Sequence, residues 1–111
     1  MKVVSWLLPV GLLALAGCAT QLRASNAEEA CSLVKERVVA VDRYPESQLA
    51  FCDPSMGADL PRDYFVLALH SNRECDGICS TNLGWFAVRK STGEVFDWDV
   101  GEWRLAEPVR N

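Results

Sequence analysis

From residue 25 onward the chain reads first with a helical period and then with a strand period. Apolar side chains at Ala27, Ala30, Cys31, Val34, Val38 and Val41 fall three or four apart, with Glu29, Ser32, Lys35 and Glu36 between them. That is the spacing of one buried helical face. Ser25-Asn26-Ala27-Glu28 fits a capping box at its start, the Ser25 hydroxyl and the Glu28 carboxylate each serving the other's backbone N–H. The helix is expected to end near Asp42, with Pro45 just beyond. Cys31 lies on the apolar stripe.

The period then shortens to two. Leu49 to Cys52 predicts a short strand stopped by Asp53-Pro54, and residues 53–61 a loop. Asp63 to His70 predicts a stronger strand, with Phe65, Leu67 and Leu69 on one face and Tyr64, Val66, Ala68 and His70 on the other. A polar loop, Ser71 to Asn82, follows. Gly84–Lys90 and Glu94–Val100 flank Ser91-Thr92-Gly93, which fits a hairpin with a three-residue loop and a left-handed Gly93. That register pairs Lys90 with Glu94, Val88 with Phe96 and Phe86 with Trp98. Opposed residues share a face, so Phe86, Val88, Phe96 and Trp98 are expected in the core, with Trp85, Ala87, Arg89, Val95, Asp97 and Asp99 outside. Trp103-Arg104-Leu105 reads either as an extension of the last strand or as a packing tail. The fold class expected is α+β, one N-terminal helix packed on a four-stranded antiparallel sheet.

Residues 1–17 break this pattern. Met1-Lys2 is a short basic start, Val3 to Ala14 is mostly apolar, and small residues then lead to a cysteine. This is the pattern of a secretory signal. The tetrapeptide Leu15-Ala16-Gly17-Cys18 resembles the lipobox of bacterial lipoproteins. The resemblance implies cleavage before Cys18, lipidation of its sulfur and acylation of its new amino group, giving a stable membrane anchor because more than one chain is attached. Ala19, where an aspartate implies inner-membrane retention in such proteins, points to the outer membrane, the domain facing the periplasm. The expected organisation is a cleaved signal peptide over 1–17, a lipidated tether over 18–24 and a small disulfide-stapled domain over 25–111.

Export changes how the remaining cysteines read. Cys31, Cys52, Cys75 and Cys79 form an even set in a chain bound for an oxidising compartment, which implies two disulfides and three possible pairings. The layout favours Cys31 with Cys52, from helix to first strand, and Cys75 with Cys79, closing one loop. A metal site from His70, Cys75 and Cys79 is the rival, and its spacing suits zinc poorly. Neither a metal nor a cofactor is expected.

Charge and motifs narrow the function. Eleven basic against fifteen acidic residues give a net charge of −4, the wrong sign for a nucleic-acid binder. The sequence carries no nucleophile elbow, phosphate loop or zinc-binding helix motif, and the chain is not expected to be an enzyme. His70, Asp97 and Asp99 are the residues a small hydrolase would use, but a hydrogen-bonded or exposed strand histidine and a solvated acidic face are the favoured readings. Trp85 stands out as a large aromatic on the expected outer face, flanked across the hairpin by Asp97 and Asp99; a tail packing Trp103 and Leu105 over it is the favoured reading, and a partner anchor the other. The trio of Trp85, Asp97 and Asp99 is the candidate partner-binding site, the ring supplying buried area and the carboxylates pairing with a basic protein. The Ser91-Thr92-Gly93-Glu94-Val95 turn resembles the terminal hairpin of several small exported inhibitor and immunity domains. The expectation is a lipid-anchored envelope lipoprotein that binds a protein, with a structural accessory of an outer-membrane complex as the alternative.

Overall fold

The computed structural model describes residues 22–57, 59–74 and 80–110. The expected signal peptide over 1–17, the expected lipidation site Cys18 and the expected Cys75–Cys79 disulfide lie outside these residues. Among these residues one helix, α1 (Ala27–Ala40), is followed by a single 3₁₀ turn and five strands: β1 (Leu49–Pro54), β2 (Tyr64–Ser71), β3 (Asn82–Arg89), β4 (Val95–Asp99) and β5 (Arg104–Pro108). The strands form one antiparallel sheet in chain order, β1-β2-β3-β4-β5. The class is α+β as the pattern predicts, with five strands rather than four. The fifth begins at Arg104, just after Trp103, and pairs Arg104 with Asp99 and Leu105 with Trp98.

The helix starts one residue later than the capping box suggests. Asn26 is the N-cap, its side chain accepting from the backbone N–H of Glu29 at 2.8 Å. The carboxylate that reaches back is that of Glu29, which accepts from both the N–H and the hydroxyl of Ser25. These bonds hold the Glu29 carboxyl below the usual range, the hydroxyl contributing most. At the other end the N–H of Arg43 donates to Val38 and that of Asp42 to Val39. With Asp42 at φ 58°, this is a Schellman closure.

Helix and sheet enclose the larger core. Ala30, Val34 and Val38 of α1 pack on Leu67 and Leu69 of β2, Phe86 and Val88 of β3, and Val95 of β4, joined by Ala24 and Val109 from the two ends of the domain. The Cys31–Cys52 disulfide staples α1 to β1 as expected. Nearby the Lys35 ammonium donates to the Ala50 carbonyl at 2.7 Å, and the Arg37 guanidinium donates to the Val109 carbonyl at 2.8 Å. In the chain-entropy account, closing a loop of 21 residues adds about 3 kcal/mol.

The β3–β4 register differs from expectation, with large consequences. Phe86 pairs with Asp97, Ala87 with Phe96 and Val88 with Val95. The turn holds four residues, Lys90 to Gly93: the Arg89 N–H donates to the Glu94 carbonyl and the Gly93 N–H to the Arg89 carbonyl. One extra loop residue slides the pairing by one position and sends every β4 side chain to the other face. Phe96 and Trp98 therefore leave the helix side of the sheet, and Val95 and Asp97 enter it.

Candidate functional site

The reversal of β4 separates the expected binding trio. Trp85 pairs with Ala68, and so faces away from the helix with Ala87, Phe96 and Trp98. Asp97 faces the helix side. It is gripped there by both terminal nitrogens of Arg43, at 2.7 and 3.3 Å, which raises the Arg43 pKa through that hydrogen bond first. Asp99, on the same side of β4 as Asp97, accepts from the backbone N–H of Glu102 and closes the β4–β5 turn. The carboxylates thus secure a loop and a turn and do not flank Trp85. His70 lies two strands from Asp97 and on the opposite face. Its ring stacks on Phe51 at 4.7 Å, and its Nδ1 is 2.9 Å from the Thr81 hydroxyl. The structure does not bring these three residues together. Among the described residues, no cluster of three His, Cys, Asp or Glu side chains is arranged to hold a metal.

The structure assembles a different group on the face away from the helix. An antiparallel sheet ordinarily presents alternating polar residues to solvent on such a face. Here the floor is apolar: Val66, Ala68, Ala87, Phe96 and Trp98 are all buried, although no helix among the described residues covers them. Their cover is a second layer of half-buried side chains, Tyr64, Trp85, Trp103 and Leu105 with Leu60 from the β1–β2 loop. Trp103 is the centre of this layer. Its ring meets Trp98 edge to face at 5.3 Å and Trp85 at 6.0 Å. Each such pair contributes roughly 0.5–1.5 kcal/mol beyond area burial.

Arg89 adds a cation to the layer. Its Nε and Nη2 donate to the Tyr64 hydroxyl at 2.9 and 2.6 Å, and the guanidinium lies 5.4 Å from the Tyr64 ring and 5.6 Å from that of Phe96. The hydrogen bond to Tyr64 holds Arg89 still more firmly in its charged form. One side of this face opens into a cleft of about 370 Å³, lined by Asp59, Leu60, Pro61, Tyr64, Trp98, Trp103, Arg104 and Leu105. Sequence reasoning found Trp85 and the tail residues Trp103 and Leu105 that pack beside it, and missed Tyr64 and Arg89. Their signal was the even-numbered face of β2, which carries Tyr64, Val66 and Ala68 where a solvated face would carry charges.

No protein-family model matches the chain, and no curated protein and no solved structure matches it. The site's own chemistry is what bears on function.

Proposed function

We propose that this chain is a lipid-anchored protein of the bacterial envelope that binds a partner protein through the aromatic face of its sheet. The observation that carries the reading is the half-buried layer of Tyr64, Trp85, Arg89 and Trp103 over an apolar floor that no helix among the described residues covers. Tryptophan, tyrosine and arginine are the residue types that dominate binding energy at protein interfaces, because they bury large area at low entropic cost. The anchoring part rests on Leu15-Ala16-Gly17-Cys18. The Cys31–Cys52 disulfide suits an oxidising compartment. In this reading the lipid holds the domain at the membrane, outer by Ala19, and the sheet face holds an inhibitor target, an immunity target or a component of an outer-membrane complex.

The test has two arms. Cys18→Ser should abolish acyl labelling and release the domain from washed membranes; unchanged labelling contradicts the anchor. Crosslinked capture from intact envelopes should give a specific partner with the wild-type chain and lose it when Trp85→Ala is combined with Arg89→Gln. Capture at wild-type strength by that variant, its circular dichroism unchanged, places binding elsewhere.

A further inference from the structure

The chain leaves the domain at a fixed point. The N–H groups of Arg23 and Ala24 both donate to the Lys90 carbonyl, at 3.0 and 3.1 Å. Ala24 is fully buried, and the Arg23 side chain lies against Gly93. Residue 23 is therefore fastened to the β3–β4 turn. Only Ala19, Thr20, Gln21 and Leu22 separate it from Cys18. Fully extended, that length of chain reaches about 18 Å, whereas a domain of this size is about 30 Å across. With a lipid on Cys18, the domain can stand on a bilayer by its β3–β4 end and not by the opposite one.

The two ends offer different side chains. Around the exit point Arg23 and Lys90 are joined by Arg62, two residues before the Tyr64–Arg89 pair, and by Arg110, next to Val109, whose N–H donates to the Val95 carbonyl. The carboxylates at this end among the described residues are Glu28, Glu29, Asp63 and Glu94; Glu29 is taken up by Ser25, and Glu94 stands 4.0 Å from Arg89. Leu22 and Met56 add apolar side chains that are 56% and 90% exposed. Met56 belongs to this end because Ser55 before it donates to the Val66 carbonyl. The opposite end, where β4 turns into β5, carries Asp99 and Glu102 with Arg104, and Asp42 and Glu46 lie beyond the end of α1.

We propose that the β3–β4 end of the domain seats on a bilayer of anionic phospholipid, with Arg23, Arg62 and Lys90 on headgroup phosphates and Leu22 and Met56 at the interface. The proposal rests on the lipid anchor proposed above. Each basic side chain held near an anionic surface shifts docking about fivefold, and the tether already holds the domain within reach. Seated this way, the sheet stands on the membrane with its aromatic face to one side, open to a protein partner.

The experiment reconstitutes the acylated full chain into vesicles of phosphatidylethanolamine and phosphatidylglycerol, with a photoreactive residue at Thr92 or at Glu102, both exposed. Flotation is read first: a chain that does not float with the vesicles has no anchor, and the seating fails with it. For the floating chain, adducts carrying the mass of one phospholipid are expected from position 92, about tenfold more than from position 102. Replacing phosphatidylglycerol by phosphatidylcholine should cut the adducts at 92 about tenfold, without any variant. Arg23→Gln combined with Lys90→Gln should do the same, with thermal unfolding unchanged. Equal adducts at the two positions, or adducts at 92 indifferent to lipid charge, overturn the seating and leave the anchor standing.

Discussion

Gly93 and Trp103 hold the same position in two successive hairpins. Each is the last residue of a four-residue loop, Lys90–Gly93 and Val100–Trp103, and each has a left-handed backbone, φ 77° and 54°. Glycine adopts this conformation without steric cost; tryptophan does not. The second hairpin therefore trades backbone ease for an indole placed between Trp85 and Trp98.

That trade predicts an unusual order of stabilities. Trp103→Ala loses the aromatic contacts and keeps the strained φ, whereas Trp103→Gly loses the contacts and relieves the strain. The glycine variant should be the more stable of the two by about 1 kcal/mol in urea unfolding, with wild type above both. At Gly93 the opposite holds: an added Cβ meets Arg23 Cβ and Leu33 Cδ1 at 3.3 Å, so Gly93→Ala should destabilise by about 1–2 kcal/mol. An alanine variant at 103 as stable as the glycine variant contradicts the account.

The β4 register makes a second prediction. Trp98 is buried beneath Trp103, and Trp98→Ala should cost about 3–5 kcal/mol. Asp97 shares a pair with Arg43 whose side chains are 33% and 37% exposed, so Asp97→Asn should cost less than about 1 kcal/mol. A salt titration should shrink the Asp97 effect and leave the Trp98 effect unchanged.

How far the sequence revealed this arrangement depends on the element. The α1 stripe and the β2 alternation follow from spacing, because only one periodicity fits each; the Cys31–Cys52 pairing follows from the layout those elements imply, since spacing alone leaves three pairings open. The β4 face did not. Gly93 is left-handed in either a three- or a four-residue loop, so its identity does not set the loop length. The apolar pattern cannot arbitrate, since Val95 suits one face of the sheet and Phe96 and Trp98 suit the other. With both faces apolar, register is decided by packing beyond the hairpin. The helix cap failed for a similar reason: Ser25 and Asn26 are both good caps, and Glu28 and Glu29 both carry carboxylates. The binding trio inherited the register error, while Trp85 survived it because β3 was read on its correct face.

The disulfide gives a third prediction. Full-chain protein isolated from the envelope should yield a Cys31–Cys52 linked peptide on non-reducing mapping. Replacing both cysteines by alanine should lower stability by about 3 kcal/mol while retaining the fold. Reactive thiols at these positions in oxidised material contradict it.

Acid should loosen the helix start. The Glu29 carboxyl titrates lower in the folded chain than its ordinary value because Ser25 donates to it. Its stabilising contribution is complete above the unfolded value and is lost as pH falls through the folded value. The melting-temperature advantage of wild type over Glu29→Gln should therefore be present at neutral pH and vanish in acid. A difference independent of pH contradicts the assignment.

The central claim is that the sheet face opposite α1 is the surface that meets a partner, and site-specific photocrosslinking in intact cells tests it most directly. A photoreactive residue placed at Trp85 samples that face, and one placed at Asp97 samples the helix side of the neighbouring strand. The account predicts a discrete protein adduct from position 85 and none from position 97. An adduct from position 97 alone, or none from position 85, contradicts it.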